Sequence, residues 1–351
     1  TPKKKLPKPS KQNLKNLEIM DHLSDLETLN LESPSNKIIQ KYNYSPVKEF
    51  SREEERKVYN IKVSSDGKYA FVITAFKIFR ISFETLREDK VLDHRRVVEG
   101  GFTGIDITSD GSKIIGGNSW ETRAYLYGWN GRPLKKYYCK QKNSYVENIS
   151  ISPNDKYILL SCLQFGKTIK ETYLYTIDGE LVFRKKIPEI YSQFTPDGRH
   201  FISYEKDIVT YWTIGGKQIQ SWKLGMDIVS MSYNEDKNLL LLGNSKEWFI
   251  SKIEKDESKI SKSVNIKVGF NFFPSESYSL DSEFKTFQKL IGDGNLILSG
   301  GKSGAYLWDT KGKELKFYPG HVRNVSAVAL SPDENFMVTA SPDKTIVWKR
   351  K

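Results

Sequence analysis

The chain has 351 residues, of which 38% are hydrophobic and 13% aromatic, enough for one large domain or two small ones with a substantial core. Its formal charge of +12 admits nucleic acid, acidic protein or an anionic membrane surface as a partner without choosing among them. No apolar run reaches the roughly 18 residues that a membrane-spanning helix needs. The two cysteines, Cys139 and Cys162, do not read as a disulfide framework in so large a β-rich chain, which favours a reducing compartment.

Residues 1–36 stand apart in composition. Thr1-Pro2-Lys3-Lys4-Lys5 is neither a Met start nor a signal peptide, and reads as a cut within a longer chain. Pro2, Pro7 and Pro9 among lysines predict an extended, solvated segment. Leu14, Leu17, Met20, Leu23 and Leu26 recur every third residue with acidic residues between them. That spacing fits a short amphipathic helix, and it equally fits a flexible tail that happens to hold leucines.

From Lys37 onward a period emerges. Turn signals recur with their second residues at 66, 110, 154, 197, 235, 293 and 333. The spacing approaches the roughly 40–45 residues of a propeller repeat, apart from one long interval of 58 between 235 and 293. Alternating runs precede the turns, such as 59–63 and 146–151, and apolar runs such as 69–73 and 239–242 follow them. Third strands recur at 78–81, 124–127, 172–175, 209–212, 248–250 and 305–308. The pattern predicts an all-β, seven-bladed β-propeller of four-stranded antiparallel blades over 37–351, preceded by the 1–36 tail. The long interval marks an insertion at about 255–285. Its Phe270, Phe272 and Phe273 either seal a gap between blades or dock a partner.

The final unit is the most regular. It runs through Gly320-His321, the turn Ser331-Pro332-Asp333, then Thr339, Asp343 and Trp348. These residues resemble a WD-repeat, and the chain is similar to the WD-repeat (WD40) β-propeller family. In that family a His, a Ser or Thr, an Asp and a Trp form a hydrogen-bonded tetrad, which the resemblance places at His321, Thr339, Asp343 and Trp348. Buried groups of these types need partners in any case. The unit ends at Lys351 just after its third strand. The lone run 37–43, which resembles a WD-repeat outer strand, is expected to supply the fourth and close the ring.

Signals for catalysis are missing. His22, His94, His200 and His321 lack ligand spacing, and neither a Cys-x-x-Cys pair, a phosphate-cradling loop nor a nucleophile elbow occurs. The Asp-Gly pairs at 66, 110, 178, 197 and 293 fall between strands and read as hairpin turns. No cofactor or metal is expected. Basic pairs and triplets at Arg95-Arg96, Lys135-Lys136 and Arg184-Lys185-Lys186 are either a solvated outer rim or candidate anion contacts. What the resemblance implies is a non-catalytic scaffold for protein–protein interaction in a larger intracellular complex, cytoplasmic or nuclear. A ribonucleoprotein component using the basic surface, and a propeller enzyme with a site in the central channel, are the alternatives. Leu14, Leu17, Leu23 and Leu26 of the tail, with Phe270, Phe272 and Phe273, are the expected partner-binding residues.

Overall fold

The computed structural model describes residues 33–351 apart from 53–57, 75, 94–102, 118–120, 168–169, 188–190, 226–227, 229, 235–238, 244–246, 254–259, 268–287 and 292–293. The described chain forms one short helix, α1 (Asn36–Lys41), and the strands of seven four-stranded antiparallel sheets. The strand β1 (Tyr44–Ser51) comes first in the chain and belongs to the last sheet.

Blade 1 holds β2 (Val58–Val63), β3 (Tyr69–Thr74), β4 (Lys77–Ser82) and β5 (Arg87–Asp93). Blade 2 holds β6 (Gly104–Ile107), β7 (Lys113–Gly117), β8 (Arg123–Gly128) and β9 (Pro133–Tyr138). Blade 3 holds β10 (Ser144–Ile151), β11 (Tyr157–Gln164), β12 (Lys170–Thr176) and β13 (Leu181–Lys185). Blade 4 holds β14 (Tyr191–Phe194), β15 (His200–Glu205), β16 (Ile208–Thr213) and β17 (Gln218–Lys223). Blade 5 holds β18 (Ser230–Asn234), β19 (Leu239–Gly243), β20 (Glu247–Ile253) and β21 (Ile260–Lys267). Blade 6 holds β22 (Gln288–Ile291), β23 (Leu296–Gly301), β24 (Gly304–Asp309) and β25 (Glu314–Pro319). Blade 7 holds β26 (Ala327–Leu330), β27 (Phe336–Ala340), β28 (Lys344–Arg350) and, outermost, β1.

The core lies between blades, not within them. Each sheet is apolar on both faces of its middle strands, as β19 shows with five buried positions in a row. Such a sheet must be covered on both sides, and a ring does this without further layers. Phe71, Ile73 and Ile78 of blade 1 pack on Ile107 and Ile114 of blade 2. Leu159 and Leu174 of blade 3 meet Phe201 and Trp212 of blade 4. Blades 2 and 3, 4 and 5, and 6 and 7 are sealed in the same manner. Trp248 of blade 5 meets Trp308 of blade 6 edge-on at 5.9 Å. Ala327, Val338 and Val347 of blade 7 pack on Val58, Val72 and Ile81 of blade 1, so the ring is closed. Neighbouring blades approach so closely that a Cβ on Gly300 would lie 2.2 Å from the Val325 carbonyl oxygen.

Closure comes through an N-terminal strand, but not at 37–43. Residues 36–41 are α1, capped by Ser35, whose side chain accepts the Ile38 N–H. The closing strand is β1, with Tyr44 opposite Arg350 and Ser51 opposite Lys344. Pro46 argues against a strand in the sequence, yet an outermost strand has one edge that needs no N–H. The long interval likewise contains more than an insertion, because 260–267 is the outer strand of blade 5.

Every outermost strand carries one unpaired residue against its neighbour. These are Val47, Asp89, Leu134, Val182, Ile219, Ser261 and Leu315. A bulge interrupts the row of free backbone groups, so the rim does not offer a straight edge to another chain.

Cys139 and Cys162 form a disulfide, with Cα atoms 5.9 Å apart. This corrects the sequence reading, in which the two cysteines do not point to a disulfide. The two cysteines are 23 positions apart in the chain, the segment between them includes the innermost strand of blade 3, and the fold returns Cys162 on β11 to the end of β9. The bond joins blade 2 to blade 3, and both cysteines are buried.

Candidate interaction site

The turns between first and second strands are polar knots. In blades 1, 2, 3, 4 and 7 a hydroxyl at Ser64, Thr108, Ser152, Thr195 or Ser331 donates to a side-chain oxygen two residues on: Asp66, Asp110, Asn154, Asp197 or Asp333. The same hydroxyl accepts the backbone N–H five residues on. Hydrogen bonds from Ser64 and Lys68 hold the Asp66 carboxyl below its ordinary pKa, and those from Ser331 and Asn335 do the same for Asp333. These aspartates are occupied by their own turns. Asp178 sits in the hairpin between β12 and β13, where Gly179 donates to the Thr176 carbonyl. Asp293 lies outside the described residues.

In blade 7 a continuous relay crosses the sheet. The Trp348 indole N–H donates to Thr339 Oγ1 at 2.9 Å. Thr339 Oγ1 lies 2.8 Å from His321 Nε2, and His321 Nδ1 lies 2.8 Å from Ser341 Oγ. Ser341 donates to the Asp343 carboxylate, which also accepts the Val322 and Arg323 N–H groups at 3.1 Å. The protons follow from the ends inward. Ser341 spends its proton on Asp343, so it accepts from His321 Nδ1–H. His321 Nε2 then accepts the Thr339 proton, while Thr339 accepts from Trp348, which only donates. His321 is thus the neutral Nδ1–H tautomer. Burial pushes its pKa down to about 4, against the pull of Asp343. For Asp343, burial works against the charge, but the hydrogen bonds from Ser341, Val322 and Arg323 keep its pKa below the ordinary carboxylate value.

The structure therefore gathers His321, Thr339, Asp343 and Trp348, with Ser341 as the link that the sequence reading missed. His321 and Asp343 themselves stay 4.0 Å apart. Two partial versions were also missed. Trp212 donates to Ser203 at 2.7 Å in blade 4, and Trp308 donates to Ser299 at 3.0 Å in blade 6. In all three blades the Trp follows its hydroxyl by nine residues, a spacing visible in the sequence.

The basic rim residues are largely engaged. Lys135 on β9 donates to the Asp178 carbonyl of blade 3 at 2.7 Å, and Lys185 on β13 to the Gly216 carbonyl of blade 4 at 2.8 Å. Each outer-strand lysine thus staples its blade to the next. Lys136 lies over the Tyr125 ring. Arg184 grips Glu171 with two hydrogen bonds at 2.8 and 3.0 Å. Burial raises the Glu171 pKa, but the bonds from Arg184 and Tyr173 outweigh it and leave the group below its ordinary value. Lys186 is exposed. Arg95, Arg96, the four tail leucines and the three phenylalanines at 270, 272 and 273 lie outside the described residues.

The seam between blades 7 and 1 is pinned by Arg52, which the sequence reading passed over. Its backbone N–H donates to the Asp343 carbonyl at 2.8 Å. Its guanidinium donates to Thr345 Oγ1 at 3.1 Å and to Glu88 at 2.6 Å, and lies 3.7 Å from the Phe79 ring centre. In the inner ring, the buried Asp106 pairs with Lys62 of blade 1 and accepts the Ile151 N–H of blade 3 at 2.8 Å.

Residues 312–348 match the family model of the WD domain, G-beta repeat. They cover the turn and outer strand at the end of blade 6 and most of blade 7, including the whole relay. The chain is a seven-bladed propeller that carries a WD repeat. No curated protein matches it. WD-repeat propellers are generally protein-interaction scaffolds and typically non-catalytic. Among the described residues, no group of three or more His, Cys, Asp or Glu is placed to hold a metal ion. Among the same residues, no helix is long and apolar enough to cross a membrane.

Proposed function

We propose that the chain is a non-catalytic adaptor that presents its propeller to other proteins within a larger intracellular assembly. The observation that carries this reading is that four titratable groups among the described residues are committed to the ring. Asp106, Glu171, His321 and Asp343 are each tied to neighbours that hold blades or strands together. What remains for a partner is surface on a rigid frame. Cytoplasmic or nuclear placement belongs to the same proposal and rests on the family resemblance alone, because the argument for a reducing compartment from cysteine usage falls with the Cys139–Cys162 bond. The tail leucines and the phenylalanines of 268–287 stay proposed contacts.

The charge of +12 supports a second reading, a nucleic-acid-associated component. Against it, Lys135, Arg184 and Lys185 are engaged within the protein. Affinity purification of the tagged full chain, with and without nuclease, separates the two. Protein partners in fixed stoichiometry that survive nuclease support the adaptor. Loss of all partners on nuclease treatment supports nucleic acid and sinks the adaptor reading.

A further inference from the structure

The ring closure creates a groove on the rim. Where β1 of blade 7 faces β5 of blade 1 lies a shallow, open depression of about 540 Å³, lined by Lys48, Glu49, Phe50, Arg52, Arg87 and Glu88 among others. Its charges are unequally matched. Glu49 is paired with Lys344 at 2.9 Å, and Glu88 with Arg52 at 2.6 Å. Both carboxylates are therefore neutralised from within the protein. Lys48 and Arg87 are exposed, and neither has a carboxylate partner among the described residues. Phe50 offers a half-buried ring between the Lys48 and Arg52 cations, at 5.8 and 5.6 Å.

We infer that this groove binds an acidic linear segment of a partner protein, with carboxylates on Lys48 and Arg87 and an apolar side chain against Phe50. The inference rests on the adaptor reading and names the chemistry of the partner. Two cations without a carboxylate partner among the described residues, beside an apolar ring, suit a peptide that alternates acidic and apolar residues. A continuous phosphate backbone fits worse, because the two spare cations, Lys48 and Arg87, flank an apolar ring and form no continuous cationic track. The position has a consequence. Lys48, Glu49 and Phe50 of the lining lie on the strand that closes the ring, and Arg87 and Glu88 on the blade it closes against. A segment seated there bridges the seam, so binding and ring closure stabilise each other.

The probe is a fluorescein-labelled peptide of alternating glutamate and leucine, titrated by anisotropy into the full chain. A glutamine–leucine peptide of equal length and an oligouridylate RNA are the controls. The double variant Lys48→Glu/Arg87→Glu is compared with Lys113→Glu/Lys217→Glu, which makes the same change in net charge at exposed sites elsewhere. Expected are binding of the acidic peptide only, a loss of at least tenfold in affinity in the groove variant and little loss in the control variant. The peptide should also raise the melting midpoint of the wild type and leave that of the groove variant unmoved. Equal losses in the two variants, or no binding by the wild type, would overturn the groove. RNA binding that depends on Lys48 and Arg87 would overturn the peptide assignment. If the groove variant still captures the nuclease-resistant partners, the groove is wrong and the adaptor reading survives. If the wild type captures none, the adaptor reading itself fails.

Discussion

Ser341 stands between two residues of the tetrad that the family resemblance implies, His321 and Asp343. Its hydroxyl turns a His321–Asp343 separation of 4.0 Å into two hydrogen bonds. Removing Asp343 strands the Ser341 proton and two backbone donors. Asp343→Ala is therefore expected to lower stability by roughly 1–3 kcal/mol, and Ser341→Ala by a similar amount, in urea unfolding near neutral pH. An unchanged midpoint for Ser341→Ala would remove it from the relay. The same relay predicts an acid limb. The folded His321 pKa is depressed from 6.5 to about 4. Its contribution is therefore complete above 6.5 and fades as pH falls from there through about 4. Protonation would make Nε2 a donor toward Thr339, which already accepts from Trp348. A His321→Asn variant should show a flatter loss of stability across that window. A parallel pH profile would mean that another group sets it. Arg52→Ala leaves Glu88 without its partner and Phe79 uncovered, and should cost roughly 2–3 kcal/mol. A thermal scan of that variant indistinguishable from wild type would show that the seam holds without it.

At the scale of elements, legibility followed chemistry that repeats. Strand order within blades was readable because turn signals such as Ser331-Pro332-Asp333 recur with apolar runs after them. The Trp348 relay was readable because its residue types are distinctive. Ser341 was not, since a serine in a turn has many ordinary uses. The closing strand was mislocated because Ile38 and Ile39 look β-like while Pro46 does not, and only pairing with β28 decides between them. Deletion of residues 1–51 should accordingly lower the melting midpoint far more than deletion of residues 1–35, and equal midpoints would place closure elsewhere. The disulfide was unreadable because no local pattern reports that a ring brings β9 and β11 together. For a loop of this length the bond is worth about 3 kcal/mol on the chain-entropy account. Denaturant unfolding of Cys139→Ser/Cys162→Ser should show that loss, and a wild-type midpoint would show the blades 2 and 3 seam to be self-sufficient.

For the whole molecule, stability resides in seven seams. Each seam buries apolar side chains from two blades, so no blade stands without its neighbours. The weak point of any such ring is where the chain ends meet. Here the joint is made by β1 laid along β28, with Arg52 fastening it to blade 1 and the relay of blade 7 directly behind. Such a frame has little freedom to rearrange, which suits a platform whose loops and rim do the binding. The most direct test of the account is amide hydrogen exchange on the intact full chain. If the ring is closed as described, the paired amides of β1 exchange as slowly as those of β28, and both open together with the other blades. If β1 exchanges at the rate of an unstructured segment while β26 to β28 stay protected, the ring is not closed by this strand and the account is contradicted.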